Sequence, residues 1–155
     1  MTDYQDPGHE AARILVVDDD EVIRDLLCKI LENRGYEVFQ TDNGPDALDI
    51  CRRSFPPLQL LITDIKMPVM SGYELADRCS LLYPAMGILY FSGSVPDESM
   101  FSGHNRAFVS KPFHNEELFR MVGTLLAGCV DERPPRRQAP ATQPHHGAQG
   151  DYLRA

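Results

Sequence analysis

No apolar stretch in the sequence is longer than one strand, and the polar opening MTDYQDPGHE lacks the basic segment and apolar core of a secretion signal. Neither a membrane span nor export is therefore expected, and the reading is of a cytoplasmic protein. C-x-x-C pairs are also missing. The four cysteines, Cys28, Cys51, Cys79 and Cys129, stand far apart and fall in stretches that pattern as helices, which suits small buried apolar residues. Bases are scarce: 15 Lys and Arg face 23 Asp and Glu, for a net charge of −8. The imbalance sits in residues 1–130, which hold 20 acids and 11 bases, net −9, whereas residues 131–155 hold three acids and four bases, net +1. Non-specific nucleic-acid binding depends on Lys and Arg displacing counterions, so so acidic a body is not expected to bind DNA directly.

What is present fits one domain with a modest tail in 155 residues. After about a dozen polar residues, Ile14-Leu15-Val16-Val17 forms an unbroken apolar run, the mark of a parallel strand covered on both faces. Three aspartates stop it. From Glu21 to Arg34 the apolar pairs Val22/Ile23, Leu26/Leu27 and Ile30/Leu31 recur every four residues, one stripe of a helix that Gly35 ends. The alternation repeats. A strand is predicted over Glu37–Thr41, then a helix opened by Asn43-Gly44-Pro45-Asp46 and running to about Arg53, with Pro56-Pro57 as a break. Leu58–Thr63 reads as the third strand, Gly72–Tyr83 as the third helix, Gly87–Phe91 as the fourth strand, Arg106–Val109 as the fifth, and Asn115–Cys129 as the last helix. The connection from Phe91 to Arg106 has space for only a short or irregular helix, about Asp97–Phe101. The expected class is α/β, a doubly wound five-stranded parallel sheet. Residues 1–11 read as an N-terminal extension, 12–130 as the domain, and the proline- and arginine-containing 131–155 as a disordered tail in which His145-His146 is too little to make a metal site.

Parallel strands finish at one edge, so the residues that follow them become neighbours. Here those followers are Asp18-Asp19-Asp20, Asp64, Ser92 and Ser110-Lys111-Pro112, while Thr41-Asp42 is expected at the periphery. Two carboxylates about 4 Å apart repel by roughly 4 kcal/mol at an effective dielectric of about 20, so the cluster needs counter-charge. Lys111 supplies one positive charge. Oxygen donors without His or Cys disfavour zinc and suit a hydrated Mg²⁺ of the kind found where phosphate is handled. Asp20, beside Glu21 at a helix start, reads more simply as a cap.

The residues Ile14-Leu15-Val16-Val17-Asp18-Asp19-Asp20, Leu61-Ile62-Thr63-Asp64-Ile65-Lys66-Met67-Pro68 with Ser71-Gly72, Phe91-Ser92-Gly93 and Phe108-Val109-Ser110-Lys111-Pro112-Phe113 come in that order, each at a predicted strand end. Over residues 12–129 the sequence resembles the receiver domain of bacterial two-component response regulators, in the manner of stand-alone chemotaxis receivers. The resemblance implies a flavodoxin-like fold with strand order 2-1-3-4-5. It implies Asp64 as phosphoacceptor for a phosphoryl group from a sensor histidine kinase or histidine phosphotransfer protein. Asp19, Asp64 and the backbone carbonyl of Lys66 would ligate Mg²⁺, with Asp18 acting through bound water; Lys111 and Ser92 would contact the phosphoryl group, and Lys111-Pro112 would be cis. Ser92 and Phe108 would form the switch, with output through a downstream protein target or onward relay. Lys66 and Ser94 match positions that tune dephosphorylation.

Two alternatives are open on the sequence. Asp18-Asp19-Asp20-Glu21-Val22 also satisfies the strand-terminal motif of haloacid-dehalogenase-type phosphatases, although Lys111 leads only to Asn115-Glu116-Glu117 on a helix rather than to an acidic strand. A receiver-like module that acts without phosphorylation is the other.

Overall fold

The computed structural model describes residues 10–94, 96–97, 99 and 105–128. Its elements are β1 (Arg13–Val17), α1 (Glu21–Asn33), β2 (Glu37–Thr41), α2 (Gly44–Arg53), β3 (Leu60–Thr63), α3 (Gly72–Leu82), β4 (Gly87–Ser92), β5 (Arg106–Ser110) and α4 (Asn115–Gly128). All strand pairs are parallel and the order is β2-β1-β3-β4-β5, the flavodoxin-like arrangement the resemblance implied. Of the short helix expected at Asp97–Phe101, only Asp97 and Ser99 belong to the described residues; Cys129, the 131–155 tail and residues 1–9 of the extension lie outside them.

The local signals act as their chemistry requires. Asp20 caps α1, its carboxylate accepting from the Val22 and Ile23 amides at 3.0 and 3.2 Å, and Asn43 caps α2 through the Asp46 amide at 2.8 Å. Gly35 follows α1 with φ +90°, a left-handed turn open to glycine at little cost. Four of the five β1 residues and every residue of β3 and β4 are buried, because helices cover both faces. Alternate strand residues feed two cores. Leu15, Val17, Leu61, Ile88 and Tyr90 pack with α2 and α3, whereas Ile14, Val16, Ile62, Leu89, Phe91 and Val109 pack with α1 and α4. Each fully buried aliphatic side chain contributes about 1.5–3 kcal/mol. Cys28, Cys51 and Cys79 are free and buried within these layers.

One strand starts later than its hydrophobicity suggests. Leu58 is buried, yet pairing in β3 begins at Leu60, because the chain is still entering the sheet through the Gln59 amide bond to the Arg13 carbonyl. β4 and β5 each run one residue further than predicted, to Ser92 and Ser110, which pair with one another.

The β3–α3 connection holds Asp64 in place by close packing. Its return places Gly72 so near that a Cβ there would lie 2.0 Å from the Asp64 carbonyl oxygen and 3.0 Å from the Ile65 Cα, while the Gly72 amide donates to the Ile65 carbonyl at 2.8 Å. Within the same loop Val69 has φ +71° and a side chain 92% exposed. A β-branched residue is rarely found in that region. The contact at Gly72 is backbone on backbone and has no flexible group to yield. Gly72→Ala is expected to cost roughly 2–4 kcal/mol of stability, read as a lower urea midpoint with an unchanged slope.

Candidate functional site

β1 and β3 are neighbours, so their C-terminal ends deliver Asp18, Asp19 and Asp64 to one rim. Oxygen atoms of the three carboxylates lie within 4.8 Å of one another. The three successive aspartates after β1 face different surroundings. Asp18 is 1% exposed, Asp19 points to solvent, and Asp20 is used by the helix cap. Asp18 Oδ1 accepts from the Asp20 amide at 2.9 Å, and the Asp18 amide donates to the Thr41 carbonyl at 3.3 Å. Asp42, as expected, is exposed beside the edge strand β2.

Lys111, immediately after β5, crosses to this rim. Its ammonium donates to Asp18 Oδ2 at 2.8 Å and to Asp64 Oδ2 at 3.2 Å, and lies 5.1 Å from the centre of the Phe91 ring. Lys111-Pro112 is cis. Asp64 Oδ1 accepts from the Ile65 amide at 2.7 Å, with the Lys66 amide at 3.4 Å. Thus one Asp64 oxygen faces backbone N–H groups and the other faces a cation. Ser92, 2% exposed at the end of β4, accepts the Ser94 amide on its hydroxyl at 3.3 Å and the Lys111 amide on its carbonyl at 2.9 Å. Phe108 is half-buried on β5, packed on the α2–α3 side of the sheet. Lys66 is exposed.

Sequence reasoning missed Arg24. Its guanidinium donates to the Asp18 carbonyl at 2.8 Å and to Gln40 Oε1 at 3.1 Å, tying α1 to the ends of β1 and β2. The available signal was its place one helical turn after Asp20. The phosphatase alternative loses its support here, because the residues beyond Lys111 form α4, with Glu116 and Glu117 in its first turn.

Burial pushes the Asp18 carboxyl above its usual range, and the Lys111 hydrogen bond and charge offset only part of that. Burial alone would lower the Lys111 ammonium, but its contacts with Asp18 and Asp64 outweigh this and hold it above its ordinary value. The signs follow from proton uptake. Above pH about 3.8 the folded protein holds the Asp18 proton longer than the unfolded chain, so Asp18 subtracts stability as pH rises through its raised value. Lys111 adds stability that is fully present below its unfolded value and lost as pH rises through the folded one. Lys111→Met, which keeps the stem and removes the charge, should cost about 1–3 kcal/mol near pH 8. The loss should shrink as the pH is lowered and Asp18 takes up a proton; urea melts along a pH series check the trend.

A family model described as the response regulator receiver domain matches residues 14–123. The chain is 37% identical over 119 residues to the response regulator receiver protein CpdR of Brucella abortus, covering 74% of this chain and 96% of that protein. It is 33% identical over 118 residues to the polar-differentiation response regulator DivK of Brucella anthropi, covering 73% and 94%. Other relatives are longer: a probable transcriptional regulatory protein of Picosynechococcus is 35% identical, and the match spans 49% of its length. Among solved structures, a CheY-like response regulator receiver domain protein from Methanospirillum hungatei superposes with a TM-score of 0.72 at 32% identity, over 80% of this chain and all of that one. The sheet order, the rim of carboxylates and the extent of these matches lead to one statement: the chain belongs to the receiver-domain family of response regulators.

Proposed function

We propose that Asp64 is the phosphoacceptor of this receiver, taking a phosphoryl group from a phosphohistidine on a sensor histidine kinase or a histidine phosphotransfer protein. The observation that carries the reading is the Lys111 ammonium set between Asp18 and Asp64, with the opposite Asp64 oxygen held by backbone amides. An Asp64 carboxylate oxygen attacks phosphorus, the phosphorus–nitrogen bond breaks, and the electron pair stays on the imidazole nitrogen, which takes up a proton. Transfer of this kind requires positioning and charge neutralisation more than covalent help. Lys111 orients Asp64 and neutralises a phosphoryl oxygen as charge accumulates, and the Ser92 hydroxyl donates to a second one.

The donor set suits a hard cation: three carboxylates, all oxygen, with ligand atoms within 4.8 Å of one another. Asp19, Asp64 and the backbone carbonyl of Lys66 would hold Mg²⁺, with Asp18 acting through water. When bound, it supplies positive charge to the transferring phosphoryl oxygens. Lys66, exposed two residues after Asp64, shields the acyl phosphate from attacking water. Ser92 and Phe108 convert phosphorylation into a changed surface by favouring one of two arrangements, and a downstream protein or relay partner reads that surface. The receiver unit is taken as residues 12–130 and is placed in the cytoplasm; no described helix is long and apolar enough to cross a membrane.

Asp64→Asn should abolish phosphoryl incorporation from a radiolabelled phosphorylated histidine kinase and from acetyl phosphate, while the melting temperature stays within a few degrees of the parent; undiminished label would refute the assignment. Lys66→Asn should shorten the half-life of the phosphorylated protein several-fold, followed as loss of label after donor removal.

A further inference from the structure

Beyond Lys111, the edge strand β5 is tied to the fold through Arg106. Parallel pairing sets Ile88 opposite Arg106, Tyr90 opposite Phe108 and Ser92 opposite Ser110. Residues two apart on a strand share a face, so Arg106, Phe108, Tyr90 and Ser92 stand together on the side that packs with α3. Tyr90 is fully buried, and its hydroxyl accepts from the Arg106 guanidinium at 2.8 Å. The same guanidinium donates to Asp77 Oδ1 at 2.9 Å and reaches Ser80 Oγ at 3.5 Å, both on α3. Only 14% of the Arg106 side chain is exposed. The Tyr90 ring is further wedged edge-on against Tyr73 of α3, with centroids 5.1 Å apart and planes at 63°.

We propose that Arg106, Tyr90 and Asp77 form a latch that holds β5 and Phe108 in the resting arrangement and so sets how readily phosphorylation shifts the domain. This inference rests on the phosphoacceptor reading of Asp64. Phe108 has no hydroxyl with which to anchor either position. Its cross-strand partner Tyr90 carries a phenolic hydroxyl, and that group is bonded to the strand that carries Phe108. A hydrogen bond from a charged donor to a buried hydroxyl is costly to give up, so Tyr90 resists any movement of β5 that withdraws the guanidinium. Arg106 couples that resistance to α3, because its two donors leave their acceptors together. Fixed in this way, the Tyr90 ring is the wall beside which Phe108 must pass toward Ser92. A phosphoryl group at Asp64 can draw the domain into the second arrangement only by as much as it prefers that arrangement, and the latch is subtracted from that preference.

The test uses the full chain with Mg²⁺ and beryllofluoride as the phosphoryl stand-in. Tyr90→Phe keeps the ring and removes only the hydroxyl, Asp77→Asn removes the charge of the α3 group that faces Arg106, and Arg106→Ala removes the whole connection. Beryllofluoride affinity, by titration calorimetry, should rise roughly two- to tenfold in Tyr90→Phe and Arg106→Ala and by a smaller factor in Asp77→Asn. Without ligand, amides 106–110 of Tyr90→Phe should exchange faster with deuterium than those of the parent. A purely structural role would lower the melting temperature and leave beryllofluoride affinity unchanged. Unchanged or weakened affinity in Tyr90→Phe overturns the latch, whatever Arg106→Ala does to folding. Absence of beryllofluoride binding by the parent chain instead refutes the phosphoacceptor reading on which it stands.

Discussion

One ammonium group makes the acidic rim tenable. Asp18 is buried and Asp64 nearly so, and two such carboxylates brought together by adjacent strands repel unless a cation stands between them. Lys111 is that cation, and its position depends on the far side of the sheet. It follows β5, which pairs in the sheet only with β4, and its own amide is fixed by the Ser92 carbonyl. The charge balance of β1 and β3 therefore relies on β5 being docked in register. This links the electrostatics of the site to an edge strand, the part of a sheet with the fewest neighbours.

The run Asp18-Asp19-Asp20 shows how one residue type acquires three environments from backbone direction alone. The first position after β1 turns a carboxylate inward to Lys111, the next leaves one in solvent beside Asp64, and the third closes the open end of α1. Arg24 then fastens this turn from the helix side. Capping and chemistry are thus built by consecutive residues, and α1 begins where the site ends.

Most of the sheet was legible because both kinds of signal agreed: unbroken apolar runs such as Ile14–Val17 match strands covered twice, and Asp20, Gly35 and Asn43 mark helix ends by chemistry that acts within a few residues. The convergence of Asp18, Asp64 and Lys111 was legible for the same reason, since parallel strands share an exit edge. What escaped depends on side-chain reach between elements. Nothing local to Arg106 announces a bond to Tyr90 sixteen residues away. Cys51 and Cys79 each read as core, but that their sulfur atoms meet at 3.6 Å follows only from how α2 lies against α3. Val69 escaped because a left-handed backbone is usually signalled by glycine or asparagine. The start of β3 was misplaced because apolar character reports burial, and Leu58 is buried without pairing.

All five strands enter the sheet at the end opposite the carboxylates. The turn there that carries Phe55, 90% exposed, joins α2 to β3 without contributing a group to the rim. Related genes can lengthen, shorten or recolour such turns with little penalty, since neither the register of β1 on β3 nor the spacing from Asp64 to Gly72 is altered. Lineage-specific novelty should accumulate on that pole, and a reporter fused there would leave the acid-bearing pole chemically intact.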